Sequence, residues 1–216
     1  MGRAYTSVDR LIRLVNEILN ISRIESGRII LSLESVDLDT LTQEIIDEVH
    51  PHAKELSVTV EKVSADSLPQ VLADADKIKE VIFNLVGNAL KFTPKGGSVT
   101  ISFSRSGDMI ETKVKDTGTG IDLENQSKLF QKFGMLADSY TANNVATTAG
   151  TGLGLYMCKS IVQMHKGKIW VESEGQGKGS EFIFSLKVAT EKDLQQAKAK
   201  DENKGEESVT LIHTEI

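Results

Sequence analysis

The sequence has little cysteine, no long apolar run and no excess of positive charge, and each shortage excludes a class of protein. The single cysteine, Cys158, cannot form a disulfide within the chain or a zinc site built from several thiolates, which favours a reducing compartment. No apolar run reaches the roughly 18–20 residues that cross a bilayer, and the N-terminus lacks the apolar region of an export signal. We therefore expect a cytoplasmic chain, and leave open whether a longer parent protein is anchored in a membrane.

The charge balance is acidic. The 216 residues include 25 Lys and Arg against 31 Asp and Glu, which gives a formal net charge of −6. An acidic chain lacks the sequence-independent attraction to a polyanion that nucleic-acid-binding proteins show, so we expect no nucleic-acid partner. With 39% hydrophobic and 26% charged residues, the composition is that of a globular protein with one large or two small domains.

An amphipathic helix is predicted over residues 5–27, because apolar side chains recur there at spacings of three and four. Its apolar stripe is wider than a coiled-coil seam and suits a helical bundle with partner helices. A helix that packs on its own domain is the alternative. Gly27 is expected to end the helix, and a domain boundary is predicted near residue 30.

The rest of the chain predicts a domain of alternating helices and strands. Asp37 or Asp39 caps its first helix, and Asp74 caps the next, which breaks at Pro94. The last helix is predicted at 154–164. Strands or extended segments are predicted at 29–36, 56–60, 99–104, 110–115, 168–173 and 181–186.

Two polar segments lie outside this pattern. Residues 122–149 predict a functional loop or lid that is helical only near 128–133, because so long a stretch without periodicity is unusual inside a compact domain. The chain beyond Thr190 is too charged to bury a core and predicts a mobile tail or linker. The predicted units are therefore 1–30, 31–190 and 191–216.

Three polar side chains interrupt the apolar third helix: Asn84, Asn88 and Lys91. Spacings of four and three place them along one helix face. In isolation this pattern is typical of a solvated face. It also combines neutral oxygen ligands suitable for Mg²⁺ with a cation for phosphate oxygens, and an amide ligand adds no negative charge beside a triphosphate.

The segment DTGTG, residues 116–120, follows directly on a predicted strand. Its glycines allow positive φ and let the backbone approach a flat ligand, while an ionised Asp116 can only accept hydrogen bonds. An acceptor-only group selects adenine, whose exocyclic amine donates, over guanine, which presents a carbonyl at that position. A capped turn is the alternative for so short a motif.

The segment GTGLG, residues 150–154, opens a helix whose first N–H groups and dipole form an anion site. A dinucleotide fingerprint is the rival interpretation, since Glu172 lies about 20 residues further on. Two features oppose it: the spacing is GxGxG instead of GxGxxG, and the preceding segment is polar instead of an apolar strand.

Together and in this order, the three motifs, with Phe130 and Phe133 between the last two, resemble the N, G1, F and G2 boxes of the histidine-kinase ATP-binding domain of the GHKL superfamily. The resemblance runs from about Asp37 to Leu186. It implies the Bergerat fold, an α+β two-layer sandwich with a mixed sheet and helices on one face. Helix 5–27 resembles the second helix of the dimerisation and phosphotransfer domain in such kinases.

The resemblance also implies roles for individual residues. Asn84 resembles the Mg²⁺ ligand, and Asn88 and Lys91 resemble phosphate contacts; these three form the expected catalytic set. Asp116 resembles the reader of adenine, with the Ser180 hydroxyl beneath the base. The full set implied in ATP binding is Asn88, Lys91, Phe92, Asp116, Gly118, Gly120, Ile121, Phe133, Gly150, Thr151, Gly152, Leu153, Gly154, Leu155 and Ser180.

Two departures from the family pattern refine the expected activity. Relatives that hydrolyse ATP carry a glutamate base where this chain has Asn84, and an amide cannot take a proton from water at neutral pH. The family phosphoacceptor is a histidine followed by an acidic residue, and none of the four histidines fits: His50, His52, His165 and His213. We therefore expect a kinase fragment that begins after its own phosphorylation site.

The predicted function is the catalytic, ATP- and Mg²⁺-binding part of a two-component sensor histidine kinase. The expected partners are a histidine-bearing bundle helix of the parent kinase, a response regulator receiver domain and a second copy in a homodimer. Two alternatives stay open: a nucleotide-gated interaction module without phosphoryl transfer, and a protein-serine kinase of the same superfamily.

Overall fold

The computed structural model describes residues 2–63, 67–134 and 151–195. The helices are α1 (Gly2–Glu25), α2 (Leu38–Leu56), α3 (Ala75–Phe92), α4 (Leu123–Gln126) and α5 (Gly154–Met164), and residues 191–195 form a further helical turn. The strands are β1 (Glu34–Val36), β2 (Thr59–Val63), β3 (Val71–Ala73), β4 (Ser98–Ser106), β5 (Met109–Asp116), β6 (Ile169–Glu172) and β7 (Ser180–Lys187).

The main layer is a five-stranded mixed sheet in the order β2-β4-β5-β7-β6. Strands β2 and β4 are parallel, and the other neighbours are antiparallel. Ile101, Val114 and Phe182 are register partners across three strands, so their side chains share one face, and all three are buried. They form one core with Ile82 and Leu85 of α3. The predicted mixed-sheet α+β fold is confirmed.

Helix α1 confirms the amphipathic helix predicted from the sequence, and its C-terminus is fixed by a Schellman motif. Gly27 has a φ of 65°, the Arg28 N–H donates to the Arg23 carbonyl, and the Gly27 N–H donates to the Ile24 carbonyl. Ile21 is the buried member of its apolar stripe among the residues whose side chains the structure describes. The exposed members of the stripe are Leu11, Ile12, Val15, Ile18 and Leu19.

Side-chain caps and proline chemistry set the ends of the two long helices of the domain. Asp37, one of two candidates, is the N-cap of α2, and its carboxylate accepts from the backbone N–H groups of Asp39 and Thr40. Asp74 caps α3 in the same way. Thr93 leaves α3 in an extended conformation, as expected of a residue before proline.

The structure corrects the prediction of a helical stretch at 128–133. The helical turn is α4, and residues 125–134 form successive turns with hydrogen bonds between residues three apart. The buried Phe130 ring packs edge-on against Phe182, with centroids 6.3 Å apart, so tertiary packing decides the local conformation. The remainder of the predicted lid, 135–149, lies outside the described residues, as do 196–216 of the predicted tail.

Two smaller differences concern short elements. Within the predicted extended segment 29–36, only β1 is a strand, and β3, which pairs with it, was not predicted. The tail begins with a helical turn that Thr190 and Asp193 cap reciprocally through their side chains. Among the described residues, no helix has the length and apolar character needed to span a membrane.

Candidate active site

Helix α3 carries the predicted polar row on one face. Asn84, Asn88 and Lys91 are half-buried, and the Asn88 carboxamide donates a hydrogen bond of 3.1 Å to Oδ1 of Asn84. The Lys91 ammonium lies 4.8 Å from the centroid of the Phe92 ring. The row is therefore an ordered pair of amides followed by a cation, next to an exposed aromatic ring.

The start of α5 packs directly on this row. A Cβ placed on Gly154 would lie 2.5 Å from Nδ2 and 2.9 Å from Oδ1 of Asn84, so any larger residue would displace the Asn84 carboxamide. Gly152 has a φ of 72°, and the Leu153 N–H donates to the Thr151 hydroxyl at 3.3 Å. The first-turn N–H groups of α5 have no acceptor within the helix and form an anion site beside the amides.

At the other end of the row, Asp116 is a buried carboxylate, with 3% of its surface exposed. Its Oδ1 accepts from the N–H groups of Gly118 at 2.8 Å and Ser180 at 3.3 Å. Its Oδ2 accepts from the Ser180 hydroxyl at 2.5 Å. The donors come from the loop after β5 and from β7, so two elements fix the orientation of the carboxylate.

Backbone contacts fix the DTGTG loop between α3 and the turn that joins β6 to β7. A Cβ on Gly118 would lie 2.5 Å from the Phe92 carbonyl, to which the Thr119 N–H also donates. Gly120 has a φ of 69° and leaves no room for a side chain beside the Gly175 carbonyl. The glycines of this turn thus help to hold the loop through their backbone, a contact that the sequence did not predict.

The geometry places two different chemistries along the second half of α3. Eight residues separate Asn84 from Phe92, which is a rise of about 12 Å. The Asn84 side offers amides and helix N–H groups, which suit anions, and the Lys91 ammonium lies further along the row, one residue before Phe92. The Phe92 side adjoins a buried hydrogen-bond acceptor, Asp116. An elongated ligand with an anionic end and a hydrogen-bond donor at the opposite end fits this arrangement.

The remaining predicted residues are placed in three ways. Ile121 and Leu153 are buried, and Leu155 packs against the main core. Phe133 is 63% exposed and has a φ of 57°, which is uncommon for an aromatic residue. Gly150 lies outside the described residues.

His165 joins the C-terminal end of α5 to the cap of α3. Its Nδ1 donates to the Ile161 carbonyl at 2.8 Å, and its Nε2 accepts from the Asp74 N–H at 3.0 Å. The ring is buried, with 6% of the residue exposed. The Nδ1 hydrogen bond therefore fixes the ring on the end of α5, and the Nε2 hydrogen bond links it to the cap of α3.

The sequence did not predict a polar contact between α1 and this site. The Thr151 hydroxyl donates to Glu17, and the Tyr156 hydroxyl donates to Glu25. Glu25 also forms an ion pair with Lys132. The hydrogen bond from Lys132 is the main cause that lowers the pKa of Glu25. More than 100 residues separate the partners of the two hydroxyl contacts, so no local pattern could have revealed them.

Comparisons with known proteins show which family the chain belongs to. The family model of the histidine kinase-, DNA gyrase B- and HSP90-like ATPases matches residues 73–190. The adaptive-response sensory kinase SasA of Rippkaea orientalis is 36% identical over 177 residues, covering 82% of this chain and 44% of SasA.

Two solved structures are similar to the described fold. Full-length ShkA in complex with AMPPNP matches with a TM-score of 0.75 and 30% identity, over 85% of this chain and 37% of ShkA. The histidine kinase ThkA in complex with the response regulator protein TrrA matches with a TM-score of 0.67 and 25% identity, over 85% of this chain and 48% of that chain.

The chain spans 22–45% of the length of the curated relatives that it matches. The family model, in contrast, covers more than half of this chain, including α3, the DTGTG loop and α5. The chain therefore belongs to the family of histidine kinase-, DNA gyrase B- and HSP90-like ATPases.

Proposed function

We propose that the chain binds ATP with Mg²⁺ and transfers the γ-phosphate to a histidine on a bundle helix, as the catalytic part of a two-component sensor histidine kinase. The observation that carries this proposal is the site along α3, with Asp116 at one end and the α5 N-terminus at the other. The AMPPNP bound to ShkA, which matches 85% of this chain, supports a nucleotide at the corresponding site.

The Asp116 end fits adenine. A carboxylate with two oxygens already fixed by backbone and hydroxyl donors can accept one more hydrogen bond without reorganising, and adenine offers an exocyclic N–H₂ group. Gly118, which the family resemblance assigns to the wall of the adenine pocket, has no room for a side chain because the Phe92 carbonyl and the Asp116 carboxylate fill that space.

The other end fits a metal-bound triphosphate. Carboxamide oxygens are hard neutral ligands of the kind Mg²⁺ accepts, together with phosphate oxygens. Asn84 is the ligand implied by the family resemblance, and Asn88, hydrogen-bonded to it, is the competing candidate within the same pair. When bound, Mg²⁺ would neutralise charge on the phosphate oxygens. Lys91 and the α5 N–H groups would hold the remaining oxygens.

Asn84 is also the reason to propose transfer in preference to hydrolysis. At the position where hydrolysing relatives carry a glutamate, its amide cannot act as a base toward water. The attacking group would then be a histidine nitrogen, which forms the new N–P bond as ADP leaves. Catalysis would rest on positioning and on charge neutralisation.

We also propose domain boundaries and partners for the chain. We assign residues 1–30 to the phosphotransfer bundle, 31–190 to the catalytic domain and 191–216 to a tail. The exposed apolar stripe of α1 is suited to a bundle formed with a histidine-bearing helix and with a second copy. The ThkA complex supports a response regulator as the next acceptor. A cytoplasmic location, expected from the single cysteine, belongs to the same proposal.

A phosphotransfer assay tests the activity. The chain is incubated with radiolabelled ATP and Mg²⁺, alone and with a folded dimeric bundle fragment that carries the family histidine. A free peptide is unsuitable because the imidazole must be held in line with the γ-phosphate. We expect little labelling of the chain alone and labelling of the bundle that is lost in acid and kept in base, as for a phosphoramidate.

The same assay separates the alternatives. Label that survives acid on the bundle or the chain would indicate a protein-serine kinase. ATP binding without labelling of any acceptor would indicate an interaction module. Rapid labelling of one of the four histidines of this chain, or fast phosphate release without an acceptor, would contradict the proposal.

A further inference from the structure

Helix α1 docks on the first turn of α5, where the proposed function places the phosphates. Ile21 of α1 is buried against Leu153 and Met157, which lie on either side of that turn. A cavity of about 210 Å³ remains between α1, α3 and α5, and its lining includes Glu17, Asn84 and Gly154. The docked helix therefore borders the amide row as well as the α5 N-terminus.

Glu17 of α1 reaches the loop that precedes α5. Its Oε2 accepts a hydrogen bond of 2.5 Å from the Thr151 hydroxyl, and the Leu153 N–H donates to the same hydroxyl. Thr151 lies three residues before the first residue of α5. A carboxylate thus occupies a position beside an anion site, where a phosphate group would bring further negative charge.

A second contact fixes the C-terminal end of α1. Glu25 accepts a 2.9 Å hydrogen bond from the Tyr156 hydroxyl and forms an ion pair with Lys132. The Lys132 ammonium also lies 5.4 Å from the centroid of the Tyr156 ring. Among the described side chains of α1, docking therefore rests on the apolar contact of Ile21 and on the polar contacts of Glu17 and Glu25, which lie about two turns apart along the helix.

We propose that α1 and the polyphosphate of a nucleotide compete for the N-terminus of α5, with the Glu17 carboxylate acting in place of a phosphate group while α1 is docked. This inference rests on the proposed ATP site and adds a regulation of it. Two like charges near this turn repel, and the Thr151 hydroxyl cannot donate to both. By linkage, ATP weakens the docking of α1 by the same factor by which docking weakens ATP binding.

Nucleotide affinities of charge variants test the competition. Glu17→Gln keeps the size of the side chain and removes its charge, so ATP should bind about threefold more tightly or better, from Coulomb repulsion between charges about 5 Å apart. Adenosine, which has no phosphate, should bind equally to both proteins. Glu34→Gln, at an exposed carboxylate on β1, is the matched control and should leave both affinities unchanged.

Hydrogen exchange of α1 supplies an independent measurement. In the wild-type chain, a non-hydrolysable ATP analogue should increase exchange in residues 17–25, and adenosine should not. Glu25→Gln, which removes the ion pair with Lys132 without altering charge at Thr151, should also increase exchange there before nucleotide is added.

The outcomes separate this inference from the proposed function. A wild-type chain that binds no ATP would contradict the proposed function itself. A chain that binds ATP with the same affinity in wild-type and Glu17→Gln forms, with unchanged or stronger protection of α1, would overturn the competition alone.

Discussion

Asp116 gives the sharpest prediction at the scale of a single residue. Asp116→Asn replaces an acceptor-only group with one that can present a donor to the amine of adenine. A hydrogen bond to a charged group contributes about 1.5–3 kcal/mol, so ATP affinity should fall at least about tenfold. Calorimetric titration measures the change. Asp108→Asn, at an exposed carboxylate in the β4–β5 turn, is the control and should have no effect.

The variant must remain folded for the result to count, because Asp116 is buried and accepts three hydrogen bonds. Circular dichroism and the denaturant midpoint check this. A folded Asp116→Asn protein with wild-type affinity would remove Asp116 from the nucleotide site.

The amide pair gives a second prediction at this scale. Asn84→Ala should abolish the effect of Mg²⁺ on ATP binding while leaving adenosine binding unchanged, because the metal ligand is lost and the Asp116 end is intact. The measurement compares ATP affinity in Mg²⁺ with that in EDTA. Asn88→Ala is the companion variant: if it alone loses the metal effect, the ligand is Asn88 and the assignment to Asn84 is wrong.

At the scale of secondary structure, the packing of α5 on α3 is tested at Gly154. The methyl group of Gly154→Ala would overlap the Asn84 carboxamide, and overpacking of this kind costs about 1–3 kcal/mol. We expect a lower urea midpoint and weaker ATP binding. Gly87→Ala on α3 is the matched control: its methyl group meets no atom within 4 Å, and alanine favours a helix, so stability should be kept or raised.

The contact between α1 and α5 has a pH dependence that follows from its ionisable groups. Hydrogen bonds from Lys132 and then Tyr156 lower the pKa of Glu25, and the hydrogen bond to Glu25 raises the pKa of Lys132. The Glu25 carboxylate therefore stabilises the docking of α1 fully at pH values above its ordinary pKa. This stabilisation is lost as the pH falls through the lowered pKa, below about pH 4. The stabilisation of docking by the Lys132 ammonium is fully present at pH values below the ordinary pKa of lysine. It is lost as the pH rises through the raised pKa, beyond about pH 10.

Chemical shifts of the Tyr156 ring, followed by NMR from pH 3 to 7, measure the acid limb of this dependence. We expect one transition below pH 4.5, the ordinary value for glutamate. It should be absent from Glu25→Gln. A transition of the same midpoint in both proteins would assign it to another group.

Local chemistry made the major elements predictable from the sequence. The caps at Asp37 and Asp74 and the stop at Pro94 depend on neighbouring residues alone, and the structure has all three. Strand β3 was missed because three residues carry no readable alternation, and it exists through pairing with β1. The helical turn was misplaced because Phe130 is held by Phe182, more than 50 residues away.

At the scale of the whole molecule, the site could be predicted only in part. The order of the three motifs predicted which side chains form the site, and the structure brings Asp116 to Ser180 and Asn84 to Gly154. The docking of α1 could not be predicted, because Glu17 and Thr151 meet only when two separate elements pack. Contacts between distant elements depend on the assembled fold, for which a single sequence holds no local signal.

Nucleotide selectivity tests most directly whether the whole molecule is an ATP-binding protein with Asp116 at the adenine. Calorimetric titration of the wild-type chain with ATP and with GTP, each with Mg²⁺, measures it in one experiment. We predict that ATP binds and that GTP binds at least about tenfold more weakly, because the buried acceptor Asp116 faces the carbonyl of guanine instead of the amine of adenine. Equal affinity for the two nucleotides, or no binding of ATP, would contradict the account.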